Sequence, residues 1–234
     1  MRYAVIPAAG VGRRFGGKKQ FFEINGVPVI EYTLRVFEKS ELVHGIVLVL
    51  PAKDLEFGGK LKEKFKKIKY VVPGGEERQS SVFKGLKAIE NEGVDEVLIH
   101  DGVRPLVSQS LVRELVVALS DYEVDGVIPG LKPRDTVKVV GAPLERGDFF
   151  VERTLDRDKL VLVQTPQVFM YEVILKCHER AVGEDFWATD DSALLERYGY
   201  SVVTIPGEPF NIKITTKEDV KLAEFFLSYS ANSL

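Results

Sequence analysis

Cysteine and histidine are scarce in this sequence, and their scarcity excludes several kinds of chemistry. Cys177 is the only cysteine among 234 residues, so the chain has no intrachain disulfide and no cysteine-rich metal site. The three histidines, His44, His100 and His178, do not have the spacing of zinc ligands. A G-x-S-x-G nucleophile elbow is also absent. What remains favours a reaction that needs only positioning and the neutralisation of charge.

The sequence also lacks long apolar runs and a large net charge. No apolar run approaches the ~18 residues of a membrane span, and because the first predicted strand begins almost at Met1 we expect no signal or transit segment. The formal net charge is −3, which argues against general nucleic-acid binding. We therefore expect a cytoplasmic protein without a membrane or nucleic-acid partner.

Short apolar runs alternate with helical patterns over the first half of the chain. Buried strands that lead into loops with Gly or Pro are predicted at 3–8, 45–51, 68–74 and 95–101. Amphipathic helices are predicted at 28–40, 81–90 and 110–120. This alternation predicts right-handed crossovers and a mostly parallel sheet with helices on both faces, which is a Rossmann-like, three-layer α/β sandwich.

The lysine-rich segment at 60–70 has two interpretations, a nucleic-acid patch or a helix with a solvated face. Leu61, Phe65 and Ile68 keep helical spacing there, and lysines fill most of the remaining positions. We therefore predict a solvated helix face.

The alternation stops after residue 125, where some forty positions contain strand-like pieces and turns but no convincing helix. Such a stretch cannot all be core, so we predict a projecting β-arm at about 133–158 that a partner subunit stabilises. Further helices are expected at 172–182, near 189–199 and from about 217, with a strand at 200–207. The domain prediction is one α/β domain over 1–234 with this arm.

Glycine and positive charge are concentrated between Gly10 and Gln20, which contain four glycines, two arginines and two lysines. The third glycine misses the dinucleotide-binding spacing by one residue, and Lys19 stands where a P-loop needs Ser or Thr. Both motifs are therefore rejected. What such loops share is backbone N–H groups and cations that hold phosphate, and we predict this role here. The alternative is a mobile surface loop with incidental charge.

Three other polar stretches lie near the same predicted sheet edge, at 73–81, 100–105 and 211–215. Ligands of open parallel sheets bind outside the carboxyl ends of strands. Asp101 ends a buried strand there, and a carboxylate in that place can hold Mg²⁺ beside phosphates. The alternative for Asp101 is a turn or N-cap residue. Phosphoryl or nucleotidyl transfer fits these residues, because it depends on positioning and charge.

Together these motifs resemble those of the 2-C-methyl-D-erythritol 4-phosphate cytidylyltransferase family. The resemblance rests on the segments PAAGVGRRF…KKQ, GGEERQSSV, HDGVRP, RDTVK, TLDR, TPQ, TDDSA and NIKIT, in the order of the family and over nearly the whole chain. It implies the nucleotide-diphospho-sugar transferase type of α/β fold. It also implies transfer of CMP from CTP to methylerythritol phosphate, releasing pyrophosphate, in non-mevalonate isoprenoid synthesis. Mg²⁺ or another divalent cation and a homodimer with arm-mediated shared sites are implied as well.

The resemblance also implies roles for individual residues. Catalytic roles fall to Arg14, Lys19, Lys213 and Asp101, and Asp101 is in addition the metal ligand. Nucleotide binding falls to Ala8, Ala9, Gly10, Gly12, Arg13, Gly75, Glu76 and Ser81. Binding of the sugar phosphate falls to Thr165 and Thr189, and to Thr136 and Arg157 in or beside the arm, which reach the neighbouring subunit's site.

Some positions depart from the pattern of the family and leave alternatives open. Lys18 replaces a proline that usually precedes the catalytic lysine, so either Lys18 or Lys19 could be the working residue. Glu76 stands where Asp is common, and DGVRP replaces a double-alanine version. The alternative functions are a cytidylyltransferase for ribitol 5-phosphate or a related alditol phosphate, and a non-catalytic nucleotide sensor.

Overall fold

The strands and helices of the protein alternate along most of the chain. The structure is a computed structural model that describes residues 1–144 and 146–231. The strands are β1 Arg2–Pro7, β2 Glu23–Ile24, β3 Val27–Pro28, β4 Gly45–Leu50, β5 Ile68–Pro73, β6 Glu96–Ile99, β7 Gly126–Leu131, β8 Lys138–Pro143, β9 Phe149–Thr154, β10 Leu162–Val163, β11 Gln167–Met170 and β12 Val202–Pro206. The helices are α1 Val29–Lys39, α2 Leu55–Lys64, α3 Arg78–Lys87, α4 Gln109–Asp121, α5 Tyr171–Gly183, α6 Ser192–Arg197 and α7 Lys217–Ala231.

An eight-stranded sheet forms the middle layer, in the order β10-β7-β11-β6-β1-β4-β5, with β12 also paired to β7. Strand β1 pairs in parallel with β4 on one side and β6 on the other, and β4 pairs in parallel with β5. Strand β11 is antiparallel to both β6 and β7, and β10 is antiparallel to β7. The predicted mostly parallel sheet is confirmed. The antiparallel strands were not predicted.

Helices cover both faces of this sheet. Successive side chains of β1 point to opposite faces, and the apolar side chains on both faces are buried beneath helices. Ala4 and Ile6 belong to one buried cluster, which includes Leu34 of α1 and Leu115 of α4. Val5 belongs to the other cluster, which includes side chains of α3 and α5. Full burial of an aliphatic side chain such as that of Ile6 contributes about 1.5–3 kcal/mol relative to exposure. The two clusters hold the sheet between the two helical layers.

Two of the predicted helices are shorter than their sequence patterns suggest. Helix α2 ends at Lys64, and Phe65 already has an extended backbone. Ile68 begins β5 and pairs with Ile46 of β4, which confirms the strand predicted at 68–74, so the helix predicted for 60–70 is wrong beyond Lys64. Leu61, Phe65 and Ile68 are all buried at helical spacing, but only Leu61 lies in the helix. Helix α6 begins only at Ser192. No helix in the described ranges, 1–144 and 146–231, is both long and apolar enough to cross a membrane.

Strands β8 and β9 form a hairpin that pairs only with itself among the described strands. It lies within the segment predicted to be the arm. Large apolar side chains on it face solvent in the single chain, and Phe150 is 70% and Val151 60% exposed. Several large exposed apolar side chains within one short hairpin are typical of a protein–protein contact.

Candidate active site

The four polar segments singled out in the sequence meet around the carboxyl end of β1. The strand order reverses at β1, between β4 and β6, and such a point is where open α/β sheets bind ligands. A cavity of about 310 Å³ opens there. Its walls are Pro7, Ala8, Ala9, Gly10, Val11, Lys19, Gln20, Gly75, Glu76, Glu77, Arg78, Ser81, Asp101, Val103 and Lys213.

The glycine-rich loop forms a tight turn around the carbonyl oxygen of Gly12. This oxygen accepts hydrogen bonds from the backbone N–H groups of Phe15, Gly16 and Gly17, at 3.0, 3.0 and 3.3 Å. Gly12 has a φ of +68°, and a Cβ added to it would lie 1.9 Å from the carbonyl oxygen of Gly17. Phe15 packs in a buried cluster that includes Ile214. The loop is therefore packed in the same apolar cluster as the 211–215 segment, which also lines the cavity through Lys213.

The two adjacent lysines of this loop have different surroundings. The ammonium of Lys18 lies 2.6 Å from both carboxylate oxygens of Asp54 and 5.5 Å from the centre of the Phe21 ring. Lys19 lines the cavity instead. The pKa of Lys19 is lowered by burial first and then by the nearby positive charges of Lys213 and Arg14, partly opposed by Asp101. An anion in the cavity would relieve this repulsion, so Lys19 is the better placed of the two for phosphate.

Asp101 lies at the centre of a cluster of cations. Its Oδ1 accepts a hydrogen bond from Arg78 Nε at 2.9 Å, and its Oδ2 lies 2.8 Å from Lys213 Nζ and 3.6 Å from Arg104 Nε. Burial by itself would raise the pKa of this carboxyl. The charges of Arg78, Lys213 and Arg104 outweigh burial and hold the pKa well below its ordinary value. Asp101 is therefore ionised at neutral pH and is not suited to be a general acid.

The backbone beneath Asp101 is held by a short chain of hydrogen bonds. The N–H of Asp101 donates to Thr165 Oγ1 at 3.1 Å, and that hydroxyl lies 3.1 Å from His100 Nδ1. His100 Nε2 lies 3.1 Å from the carbonyl oxygen of Arg104, so Nε2 carries the proton and Nδ1 accepts one from Thr165. Burial lowers the pKa of His100 to about 4, which keeps the ring neutral. His100 thus positions Thr165 and Asp101.

A second cavity, of about 380 Å³, shares Arg78, Asp101 and Lys213 with the first. Its walls also contain Arg104, Val163, Gln164, Thr165, Gln167, Thr189, Asp190, Ser192, Ala193 and Glu196. The two threonines predicted to bind the sugar phosphate are therefore in one cavity, beside the cavity that holds the predicted nucleotide-binding residues. The shared residues form part of the wall of each cavity.

Several predicted site residues lie outside these two cavities. Gly12 shapes the loop from behind, and Arg13 and Arg14 are exposed on it, with Arg14 near enough to Lys19 to lower its pKa. Thr136 and Arg157 are exposed beside the arm, and Arg157 Nη1 donates to the carbonyl oxygen of Arg134 at 2.8 Å. Neither of these two residues is among those that line the two cavities.

Sequence reasoning missed two arginines and one aspartate of this site. Arg104 donates from Nη1 to the carbonyl oxygen of Asn211 at 2.7 Å, and Arg78 bonds both Asp101 and Asp191. The available signal was their position in the motifs GGEERQSSV, HDGVRP and TDDSA. Nothing in the sequence indicated that these three segments share ion pairs.

The two cavities meet at an ionised carboxylate, Asp101, with Arg78, Arg104 and Lys213 around it, and no activated nucleophile is found among the residues that line them. A site of this kind at the switch point of an α/β sheet fits the class of nucleotidyltransferases, whose catalysis depends mainly on positioning and charge.

Comparison with known proteins narrows this class to one family. The sequence profile of the 2-C-methyl-D-erythritol 4-phosphate cytidylyltransferase family matches residues 3–229. A protein of that name from Geobacter metallireducens is 42% identical, with 96% of this chain and 97% of that protein covered. Another, from Dictyoglomus thermophilum, is 41% identical, with 97% and 96% covered.

A solved structure gives the same result. The 4-diphosphocytidyl-2C-methyl-D-erythritol synthase of Anaerococcus prevotii superimposes with a TM-score of 0.84 at 35% identity, with 97% of this chain and 96% of that chain covered. The chain belongs to the 2-C-methyl-D-erythritol 4-phosphate cytidylyltransferase family. The predicted family, the α/β fold class and the cytidylyltransferase activity are confirmed, and the alditol phosphate alternative is not favoured.

Proposed function

We propose that the cavity beside the glycine-rich loop binds CTP and that the adjacent cavity binds methylerythritol phosphate. The observation that carries this assignment is that the two cavities share Arg78, Asp101 and Lys213. A phosphate in the second cavity would therefore face the α-phosphate of a nucleotide in the first, across Asp101 and Lys213. Such a placement is what an in-line displacement needs.

The far wall of the first cavity is suited to a planar base. The N–H of Gly75 donates to Ser81 Oγ at 3.0 Å, and this hydroxyl donates to the carbonyl oxygen of Glu77 at 3.0 Å. A Cβ on Gly74 would lie 2.2 Å from the Cβ of Ala9, so the wall is closely packed behind the cavity. We assign recognition of cytosine to this wall, with the backbone near Ala9 and Gly75 supplying polar contacts.

The chemistry requires countercharge and not a base. The acceptor is a phosphate monoester with a second pKa of ~6, so it is largely ionised at neutral pH. Its approach to the triphosphate is opposed by like charge. Lys19, Lys213 and Arg14 would offset this repulsion and stabilise the charge on the five-coordinate phosphorus. Asp101 keeps the ammonium of Lys213 oriented at 2.8 Å.

Asp101 is the residue that would hold Mg²⁺. The described residues contain no group of three or more His, Cys, Asp or Glu side chains arranged around a common metal position. A single carboxylate fits Mg²⁺ nevertheless, because this ion takes one or two carboxylates and fills its other positions with phosphate oxygens and water. When bound, it would neutralise part of the triphosphate charge.

The arm completes the proposal through a homodimer. Its exposed Phe149, Phe150 and Val151 would be covered by a second copy of the chain. Thr136 and Arg157 would then reach the acceptor phosphate in the partner's site, which agrees with their absence from the linings of the two cavities described above. The cytoplasmic location, the lack of nucleic-acid partners and the division into one domain and an arm stay predictions.

Replacement of Asp101 by Asn tests the proposed metal site. The amide keeps the shape of the side chain but loses the charge, so we expect kcat/KM to fall at least by the roughly 10- to 100-fold seen when support of a metal ligand is lost. Higher Mg²⁺ should restore part of the activity. The measurement is pyrophosphate release from CTP and methylerythritol phosphate over a range of Mg²⁺ concentrations.

The control is Asp125→Asn, which removes the charge of a carboxylate just before β7 that accepts hydrogen bonds from Ser201 and lines neither cavity. The Asp125→Asn variant should keep wild-type kcat and wild-type Mg²⁺ dependence. For the test variant itself, full activity of Asp101→Asn at low Mg²⁺ would mean that Asp101 is a structural residue only.

A further inference from the structure

Arg78 joins two buried carboxylates that come from distant parts of the chain. Its Nε donates to Asp101 Oδ1 at 2.9 Å and its Nη1 donates to Asp191 Oδ2 at 2.7 Å. The side chains of Asp101 and Asp191 are only 8% and 1% exposed. The third nitrogen, Nη2, is buried and has no hydrogen-bond partner. Two charge-assisted hydrogen bonds, from Nε and Nη1, therefore hold the guanidinium in place. Bonds of this kind are among the stronger hydrogen bonds in proteins.

The three residues connect both sides of the site. Arg78 is the first residue of α3, the helix that carries Ser81 of the first cavity. Asp191 precedes α6 and lies two positions after Thr189 of the second cavity. The other oxygen of Asp191 lies 3.3 Å from Nε2 of the fully buried His178. A single guanidinium thus ties the nucleotide side and the acceptor side to the carboxylate between them.

We propose that Arg78 is a positioning residue, which holds Asp101 in one rotamer by anchoring it to Asp191. This inference rests on the proposed role of Asp101 at the metal. With Oδ1 occupied by Arg78, Oδ2 is the oxygen that faces Lys213 and has acceptor capacity left for a cation. Without the guanidinium, Asp101 could rotate and Asp191 would keep only His178 as a partner.

The electrostatics of the cluster agree with this role. Among the positive charges that lower the pKa of Asp101 against the effect of burial, Arg78 has the largest effect. Arg78 also has the largest effect among the groups that lower the pKa of Asp191 against burial. A lysine at position 78 would keep one positive charge but not the planar fork that bonds two carboxylates at once. Arg78→Lys therefore tests the effect of losing the hydrogen-bond geometry of the guanidinium while the net charge stays the same.

The chain offers a matched control at the opposite end of β6. Arg2 bonds Glu96 through Nε at 2.6 Å and through Nη2 at 3.2 Å, and its side chain is 31% exposed against 28% for Arg78. Arg2→Lys makes the same chemical change far from both cavities. It should lower thermal stability without changing the kinetic constants.

The experiment compares Arg78→Lys, Arg2→Lys and the wild type at several Mg²⁺ concentrations. For Arg78→Lys we expect kcat to fall and the Mg²⁺ concentration for half-maximal activity to rise, each by about 10- to 100-fold, the range for residues that orient a metal ligand. The dissociation constant of Mn²⁺ from the protein–CTP complex, measured by electron paramagnetic resonance, should rise as well. Metal-independent CTP affinity should change little.

Wild-type kcat and wild-type metal affinity in Arg78→Lys would overturn the inference, and so would a loss of thermal stability alone. If Arg78→Lys does not fold, Asp191→Asn decides, because it removes one anchor of the guanidinium and leaves Arg78 in place. It should shift the same constants in the same direction, and unchanged constants would refute the anchor. Asp101→Asn in the same series separates the two proposals: an impaired Asp101→Asn beside an unimpaired Arg78→Lys contradicts only the inference about Arg78.

Discussion

Replacing Lys19 by Ala is expected to lower kcat by about 100- to 1,000-fold, a loss of ~2.7–4 kcal/mol by analogy with removal of one oxyanion donor. Negative charge at the α-phosphate grows as the acceptor phosphate attacks. A contact that strengthens only in the transition state changes kcat more than it changes ground-state binding. The dissociation constant of CTP should therefore rise by a much smaller factor. Steady-state kinetics together with titration calorimetry of CTP measure the two effects.

Lys18→Ala is the matched control, because it removes the same side chain one position earlier. Lys18 is held by Asp54 at 2.6 Å and does not line the cavity, so its loss should leave kcat close to the wild-type value. The reverse result, normal turnover without Lys19 and a large loss without Lys18, would assign the catalytic lysine to position 18.

Mixing two inactive variants, Lys19→Ala and Arg157→Ala, is expected to restore activity. If the arm of one subunit serves the site of the other, a mixed dimer contains one site with both defects and one site with neither. Random subunit exchange in an equimolar mixture makes about half of the dimers mixed, and one of their two sites is intact. About a quarter of the wild-type activity should then return. Before mixing, the Lys19→Ala variant has only the low activity that follows from its loss of ~2.7–4 kcal/mol of transition-state stabilisation.

The alternative arrangement gives a different result in the same experiment. If Arg157 serves its own chain's site, every site in a mixed dimer keeps one defect and activity stays low. Mixing Lys19→Ala with Asp101→Asn is the control, since both residues line one cavity of one chain. If exchange is verified with differently tagged subunits and activity still does not return, the shared site is contradicted.

Much of the fold could be predicted because local pattern and burial agree in it. Strands β1, β4, β5 and β6 are short apolar runs that end in turn residues, and α1 buries one regular stripe. The helical spacing of Phe65 and Ile68 was misleading, because α2 ends before Phe65 and Ile68 already begins β5. The antiparallel strand β11 was missed because its direction depends on the neighbouring strands β6 and β7, which the local sequence does not specify.

The candidate site divides in the same way. Asp101 and the loop glycines could be proposed from the sequence, because each stands in a motif with its own chemical meaning, whereas the role of Lys213 was implied only by the family resemblance. The choice between Lys18 and Lys19 could not be made, because it depends on Asp54, a residue 36 positions away. The link from Arg78 to Asp191 spans 113 positions, and only the folded chain brings the two residues together.

We expect the acceptor phosphate to attack the α-phosphorus directly, without a covalent enzyme intermediate. His100 is fully buried beneath the site with both ring nitrogens in hydrogen-bond contact, and Ser81 is engaged by Gly75 and Glu77. Neither is placed as a nucleophile. The direct measurement is the configuration at phosphorus after transfer from one diastereomer of cytidine 5′-O-(1-thiotriphosphate). A single in-line displacement predicts inversion at the α-phosphorus of the product, and retention would contradict the account, because it requires two displacements through a nucleotidyl-enzyme.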